Sequence, residues 1–376
     1  MKKEASGSIN KILAAILIGV MLILLIGIVV NGWQTDSNGE NSSESGNVIT
    51  DNADNLNGDT DKNNGTADNF INNGNTTQKI PEHVNYLTGL SINENLENRI
   101  PFGFIFEPNA PTYGISGSEL TVEIPIEAGN TRFLAFKTDV SDLGKIGGFS
   151  ATRKYVTQLS GLFGGLLVSN GADDIISYPS LFTRVDIDLT EHVDVVYKEN
   201  GKNVYTDGNS LLKIAKNESI DLITYKRPSL PFEFCDFGDK VSGTTVAESV
   251  FIPYSDQNST SFLYNQSLDV YTLYKNDRVK TDMLNGKAAE YKNVFILFAD
   301  VVTYETAYGT ESIVNTATEG TGYYISGGRL TEIKWSVDSS NNLVFKNLNG
   351  SKLTVNRGNS FIAYYKSSAS QDVVFQ

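Results

Sequence analysis

Hydrophobic and polar positions divide the chain into three stretches of different character. Residues 12–30 form an unbroken run of 19 apolar residues or glycines. Residues 33–78 are almost entirely polar, and after them short apolar segments alternate with polar turns. A helix of 19 residues extends about 28 Å, close to the thickness of the hydrocarbon core of a bilayer. The pattern therefore predicts a membrane helix, a polar tether and a folded part.

The charges around the apolar run predict its orientation. Lys2, Lys3 and Lys11 precede the run, whereas acidic residues dominate the stretch that follows it. By the positive-inside rule we expect a single-pass protein of the cell membrane, with a cytoplasmic N-terminus and an extracytoplasmic folded part. A removable signal peptide is the alternative. The run is longer than the usual signal-peptide core of about 7–15 residues, and no small-x-small cleavage site follows it.

The polar stretch is predicted to be a flexible spacer. Residues 33–78 hold eight acidic residues and one lysine, which is a net charge of −7 out of −14 for the whole chain. Such a composition cannot bury enough apolar surface to offset the entropy of ordering. As a random coil it would reach about 35–40 Å root-mean-square.

These features predict an α+β fold with four parts. The parts are a cytoplasmic stub and membrane anchor over 1–31, a disordered tether over 32–80, a mixed α/β domain over 81–235 and a β-rich domain over 236–376.

The start of the folded part contains an alternating segment that predicts a β-hairpin. Apolar residues of 119–128 occupy every second position, which is typical of a strand with one buried face. Pro125 within it favours an edge or a bulge. The dipeptide Gly129–Asn130 is a turn signal, and a two-residue loop would place Glu127 opposite Arg132 as a cross-strand ion pair. A binding role for Arg132 is the alternative.

Glu123 and Glu127 are candidate acid–base residues, but their spacing argues against a glycosidase pair. Four residues apart on one strand, they would be separated by about 13–14 Å. Glycosidase carboxylates lie about 5–9.5 Å apart. Asp173 is a further candidate acid or base.

A glycine-rich region follows and contains a second candidate arginine. We predict a helix over 151–162 and a buried strand over 165–171, with further helical patterns at 172–184 and 207–218. The sequence GGFSATRK before the first helix is compatible with simple helix capping. The alternative is anion binding at the helix N-terminus with help from Arg153.

The second half predicts a compact antiparallel β domain. Short strand-like segments recur between polar turns from about residue 240 onward. Eleven of the 18 tyrosines fall between residues 254 and 365. Their rings suit half-exposed strand positions, and stacking on sugars or on a partner protein is the alternative.

Composition excludes several classes of function. The net charge of −14 and a pI near 4.7 argue against a nucleic-acid partner. One cysteine, Cys235, cannot form an intrachain disulfide, and with only two histidines it offers too few ligands for a structural zinc site. We expect no metal and no cofactor.

Several segments together resemble a known family. NYLTGL at 85–90, YGISGSELTVEIPIEAGNTRFLAF at 113–136 and KIGGFSATRKYV at 145–156 are similar to the YerB-like family, a two-part domain of unknown function 3048. The similarity continues through 201–215, resumes at 248–255 and extends to 359–366. The resemblance implies a bacterial envelope protein of the kind usually carried as a lipoprotein by Gram-positive bacteria. It implies no catalytic mechanism.

The chain also departs from the family pattern. Where the family has an arginine-rich GPVRSARP, Ser150 occupies the first arginine position, Arg153 keeps the second and Lys154 replaces the proline. Lys202 occupies a histidine position. The membrane anchor stands in place of the lipid-bearing cysteine. An arginine-lined anion site, if the family has one, would be incomplete here.

The sequence favours a tethered envelope protein with a non-catalytic binding or accessory role at the cell wall. Its partner would be a wall polymer or an envelope protein. The alternative is an envelope enzyme that acts on wall glycan or peptide, with Arg132 and Arg153 binding anions and Glu123 or Asp173 as acid or base. A third reading is a regulator that contacts membrane enzymes through its own helix, although the apolar run has no GxxxG pattern.

Overall fold

The computed structural model describes residues 70–73, 76–171, 187–199, 203–306 and 309–376. The predicted membrane segment, most of the predicted tether, the helical pattern at 172–184 and the candidate Asp173 lie outside the described residues. Among the residues described, no helix is both long and apolar enough to cross a membrane. Two short strands pair between Phe70 and Lys79, at the end of the segment expected to be a tether.

The first half of the described chain combines strands with three helices. The helices are α1 (Glu94–Glu97), α2 (Lys154–Leu162) and α3 (Gly208–Asn217). The strands are β1 (Phe70–Asn73), β2 (Thr76–Lys79), β3 (Phe102–Phe106), β4 (Leu120–Pro125), β5 (Thr131–Lys137), β6 (Ile146–Phe149), β7 (Leu166–Ser169), β8 (Ile187–Asp188), β9 (Tyr197–Glu199), β10 (Asn203–Thr206) and β11 (Glu233–Phe234).

The second half is built of strands, with one 3₁₀ segment at Ser367–Asp372. The strands are β12 (Thr245–Val246), β13 (Ser249–Ser255), β14 (Asn258–Asn265), β15 (Val270–Lys275), β16 (Arg278–Val279), β17 (Glu290–Tyr291), β18 (Asn293–Ala299), β19 (Val301–Thr306), β20 (Gly309–Val314), β21 (Glu319–Ser326), β22 (Arg329–Val337), β23 (Leu343–Asn347), β24 (Thr354–Val355), β25 (Ser360–Lys366) and β26 (Val374–Phe375). The described chain is therefore mostly β-sheet.

One large sheet contains strands from both halves of the chain. Within the described residues it has 14 strands, with β12-β22-β21-β18-β25-β4-β5-β3-β6-β10-β9 as its main path. The two halves meet where β25 pairs with β4. That pairing is parallel, as is the pairing of β18 with β25. The expectation of a purely antiparallel second half is thus wrong, because its central strands join a mixed sheet.

A second sheet, β16-β15-β14-β13-β26 with β17 beside β15, covers one face of the large sheet. Phe361 of the large sheet lies at the centre of this contact. Its ring centroid is 5.0 Å from that of Phe262 and 5.1 Å from that of Tyr291, both on the second sheet. Such edge-to-face packing of buried rings joins the two sheets.

The opposite face of the large sheet is covered by α2 and by other apolar side chains of both halves. Every residue of β4 and of β18 is therefore buried. A sheet covered on both faces needs apolar or internally paired side chains on both. The prediction of one buried face for 119–128 was only half right, because the second sheet also covers the face that carries Thr121 and Glu123.

Most predicted elements are present close to their predicted positions. The helix expected over 151–162 is α2, the strand expected over 165–171 contains β7, and the pattern at 207–218 contains α3. Asp207 caps α3, since its carboxylate accepts a hydrogen bond from the Ser210 amide at 2.9 Å. Strand β14 was not predicted, because its sequence NSTSFLYN begins with residues that are typical of turns.

Phe361→Ala should strongly destabilise the fold. The side chain is fully buried between the two sheets, and removal of a buried phenylalanine costs about 3–5 kcal/mol. Chemical denaturation of the full chain in detergent would measure this loss. Leu268→Ala, at a side chain that is 60% exposed, is the control and should change the free energy of unfolding by less than about 0.5 kcal/mol. Similar losses for both variants would show that this contact does not join the sheets.

Candidate functional site

The two candidate arginines lie in one cluster at the ends of β3 and β4 and the start of α2. Arg132 is the second residue of β5, and its Nη1 lies 2.6 Å from Oε2 of Glu107. The antiparallel pairing of Phe106 with Phe133 places Glu107 beside Arg132. Arg132 does form an ion pair with a neighbouring segment, but its partner is Glu107, the residue directly after β3.

Arg153 pairs with Glu127, the acid first assigned to Arg132. Arg153 immediately precedes α2, and Glu127 begins a 3₁₀ turn at Glu127–Gly129. The Arg153 guanidinium donates a hydrogen bond from Nη2 to Oε1 of Glu127. This ion pair connects the turn after β4 to the start of the helix.

The predicted two-residue hairpin loop is wrong. Pro125 pairs with Thr131 and Ile124 with Arg132, so that five residues separate the strands. Ala128 and Gly129 both have positive φ, 57° and 70°. The other half of the chain favours this wider turn, because Asn258 Nδ2 donates to the Gly129 carbonyl at 2.9 Å. A Cβ atom on Gly129 would lie 2.6 Å from Cβ of Ser255.

The charges of the cluster compensate one another. Burial lowers the pKa of Arg132, and the nearby Arg153 lowers it further, while Glu107 opposes the shift. Burial alone would raise the pKa of Glu127, but the hydrogen bond from Arg153 and its positive charge outweigh it, so that the pKa is lowered. Arg153 therefore holds Glu127 as a carboxylate, and Glu107 is ion-paired with Arg132. This arrangement suits binding or loop anchoring better than proton transfer.

One hydrogen-bond donor of this cluster has no partner within the part of the chain that the structure describes. The Nε atom of Arg132 is buried and has no hydrogen-bond partner among the described residues. A buried donor of this kind is costly unless water or another group satisfies it. It marks the place where the cluster could accept one further acceptor atom.

Glu123 lies elsewhere, in a buried ion pair between the two halves of the chain. Its Oε1 is 2.7 Å from Nζ of Lys275, and the exposed fractions of the two side chains are 0% and 4%. The hydroxyls of Thr131 and Thr260 donate to the same oxygen at 2.7 Å and 2.9 Å. The structure does not bring Glu123 together with Glu127, since each has a different cationic partner.

Tyr254 stands beside this pair. Its ring centroid lies 5.2 Å from Nζ of Lys275. Burial raises the pKa of the Tyr254 hydroxyl well above its ordinary value, and the carboxylate of Glu123 raises it further. Tyr254 therefore stays protonated and contributes a buried dipole next to the ion pair.

A second buried lysine was missed by the sequence reasoning. Nζ of Lys280 donates to the carbonyls of Pro108 and Ala110 at 2.7 Å and 2.9 Å. Burial, and then the positive charge of Lys275, lower the pKa of Lys280 to about 8. The sequence YKNDRVKTD does not predict that Lys280 is buried, because lysines in such a polar segment usually lie on an exposed turn.

An open groove lies on the outer face of β14 and β15. Its volume is about 690 Å³. Among its lining residues are Leu263, Tyr264, Asn265, Thr272 and Tyr274. Most of the other tyrosines in this half are buried in the core, whereas the sequence predicted half-exposed strand positions, because the large sheet is covered on both faces. Within the described ranges, no cluster of His, Cys, Asp and Glu could hold a metal ion.

Family models match most of the folded part. The N-terminal domain of the family "Protein of unknown function (DUF3048)" matches residues 87–221, and its C-terminal domain matches residues 250–362. The chain belongs to the DUF3048 family. The boundary between the two matched parts lies between α3 and β13, whereas the large sheet extends across it.

A solved structure has the same fold. The crystal structure of the YerB protein from Bacillus subtilis aligns with a TM-score of 0.66 over 77% of this chain and 98% of that chain, at 20% identity. No curated protein matches the sequence. The predicted resemblance to YerB-like proteins is therefore confirmed for family and fold.

Breaking the buried ion pair should be far more harmful than replacing it. Lys275→Met leaves Glu123 as an uncompensated buried charge, and we expect a loss of about 3–5 kcal/mol in the free energy of unfolding. The double variant Glu123→Leu with Lys275→Met should recover much of that loss. A double-mutant cycle by chemical denaturation measures both values. Additive losses would mean that the two side chains are not coupled.

Lys280 should make stability depend on pH above 8. Its folded pKa is about 8, below the ordinary 10.5, so between these values the unfolded chain binds more protons. The free energy of unfolding attributable to Lys280 should therefore rise with pH from about 8 to 10.5. Comparison of wild type with Lys280→Met, from pH 7.5 to 9.5, isolates this effect from the tyrosines that ionise later. Parallel pH profiles would contradict the buried, desolvated state of Lys280.

Proposed function

We propose that this chain is a membrane-anchored, extracytoplasmic protein of the bacterial envelope with a non-catalytic binding role at the cell wall. The apolar run at 12–30, the lysines before it and the acidic stretch after it support the location. Membership of the DUF3048 family is compatible with it.

The observation that carries the binding role is the pairing of the candidate acids. Glu123 is fully buried against Lys275, and Glu127 and Glu107 each contact an arginine. A general acid or base has to exchange a proton with a substrate near neutral pH. Each of these three acids is engaged by a cation of the protein itself, which suits a structural role better than proton transfer to a substrate.

A wall polymer is the ligand that we propose. The tether would let the folded part reach the polymer just outside the membrane. Without residues 1–78, the chain carries a net charge of −9, which disfavours anionic polymers and anionic lipid surfaces. An uncharged glycan meets no such repulsion.

Sedimentation with insoluble sacculi tests the proposal. The full chain, kept in a polyoxyethylene detergent that has no sugar head group, is mixed with purified Gram-positive sacculi and centrifuged. We expect the protein in the pellet, and no muropeptides or sugars in the supernatant. A heat-unfolded sample is the control for trapping.

Each other outcome contradicts part of the proposal. Soluble wall fragments would show that the protein is an enzyme, and Glu107 and Glu127 would be the first residues to test by substitution. Protein that stays in the supernatant with intact sacculi would contradict wall binding and leave an envelope protein as the partner.

A further inference from the structure

We infer that the groove on the outer face of β14 and β15 is a carbohydrate-binding site for an uncharged oligosaccharide. This inference rests on the proposed wall-binding function and names the surface that would perform it. The groove is separate from the arginine cluster, since none of its lining residues belongs to that cluster.

Strand alternation creates the groove. Phe262 and Leu273 point into the core between the sheets and are fully buried. Leu263 and Thr272, which pair with each other, point to the opposite face and remain partly exposed, as does Tyr274. The face therefore offers an aromatic ring, a hydroxyl and an apolar side chain within two neighbouring strands.

The strands beneath the groove are held rigid from the core side, toward which the Tyr264 ring points, as does that of Phe262. The Tyr264 ring centroid lies 5.1 Å from that of Tyr271, and its hydroxyl donates to Asp269 at 2.9 Å. Burial alone would raise the pKa of Asp269, but hydrogen bonds from Lys240 and then Lys292 and Tyr264 bring it down to about 2. Asp269 thus remains a carboxylate that fixes the Tyr264 hydroxyl. A site that is ordered before binding loses less entropy when its ligand arrives.

The turn after β14 forms the end of the groove. The side-chain oxygen of Asn265 accepts hydrogen bonds from the Ser267 amide at 3.1 Å and from the Ser267 hydroxyl at 2.7 Å. This geometry holds the turn at the end of β14, where Asn265 lines the groove. Gln266 adds a second amide.

The chemistry of the lining identifies the class of ligand. A pyranose ring presents an apolar face, which stacks on an aromatic ring, and a rim of hydroxyls, which bind amides and hydroxyls. Tyr274 offers the first, whereas the amides of Asn265 and Gln266 offer the second. The Thr272 hydroxyl donates to the Glu290 carboxylate at 3.2 Å and can still accept a hydrogen bond from a sugar hydroxyl. No lining residue carries a formal charge, and the carboxylate of Glu290 lies next to Thr272, so the groove gives no attraction to a phosphate. Its volume of about 690 Å³ lies in the range of small-ligand sites.

Competition for sacculi tests the site. Sacculi are stripped of anionic polymers with hydrofluoric acid, and the bound fraction of the full chain is titrated with triacetylchitotriose, an uncharged β-linked glycan. Poly(glycerol phosphate) is the anionic competitor. We expect the neutral glycan to displace the protein and the anionic polymer to have no effect.

Matched variants locate the binding. Tyr274→Ala should weaken binding about tenfold or more because the stacking ring is lost, whereas Tyr274→Phe keeps the ring and should stay within about threefold. Thr272→Val, which removes a hydroxyl at nearly constant volume, should weaken binding severalfold. Tyr225→Ala, at a ring that is 87% exposed and outside the groove, is the control and should bind like wild type.

The outcomes separate the groove from the proposed function. If Tyr274→Ala and Thr272→Val both bind sacculi as tightly as the wild type does, the groove is not the binding site. Wall binding itself would then remain supported. Displacement by poly(glycerol phosphate) and not by the glycan would also overturn the groove as the binding site. Failure of the wild type to bind sacculi at all would overturn both proposals.

Discussion

The ion pair of Glu123 and Lys275 is the constraint on which the rest of the arrangement depends. It lies fully buried between β4 of the large sheet and β15 of the second sheet. Two threonine hydroxyls complete the hydrogen bonds of the same carboxylate oxygen. Buried charges are stable only when they meet in good geometry, so the two sheets can pack in few other registers. The pair therefore selects the way in which the two halves meet.

Other polar contacts between the two halves of the chain stabilise the same packing. Asp282 accepts hydrogen bonds from the amides of Gly114 and Ser116 at 2.9 Å and 2.8 Å, and Lys280 donates to the loop at Pro108. These contacts fix the loop that follows β3 onto the segment after β16. The two parts matched by the family models are consequently joined into one sheet system, and neither could bury its apolar faces alone.

Binding surfaces follow from where this packing leaves side chains exposed. The arginine cluster sits at the strand ends, with its charges already balanced by Glu107 and Glu127. The face of β14 and β15 that points away from the core carries Tyr274 and the polar groove. An uncharged aromatic surface on a rigid double sheet is compatible with recognition of a neutral polymer.

The sequence by itself determined the local features of this protein. The apolar run predicts an anchor, the alternation at 119–128 predicts β4, and glycine-rich turns delimit α2, because these signals depend only on neighbouring residues. The family was recognised from local motifs for the same reason. What the sequence could not determine are the partners across the fold. Glu127 pairs with Arg153 and Glu123 with Lys275, which lies 152 positions away. Periodicity specifies which face a side chain occupies, whereas only the packing of the second sheet decided that the polar face of β4 is buried.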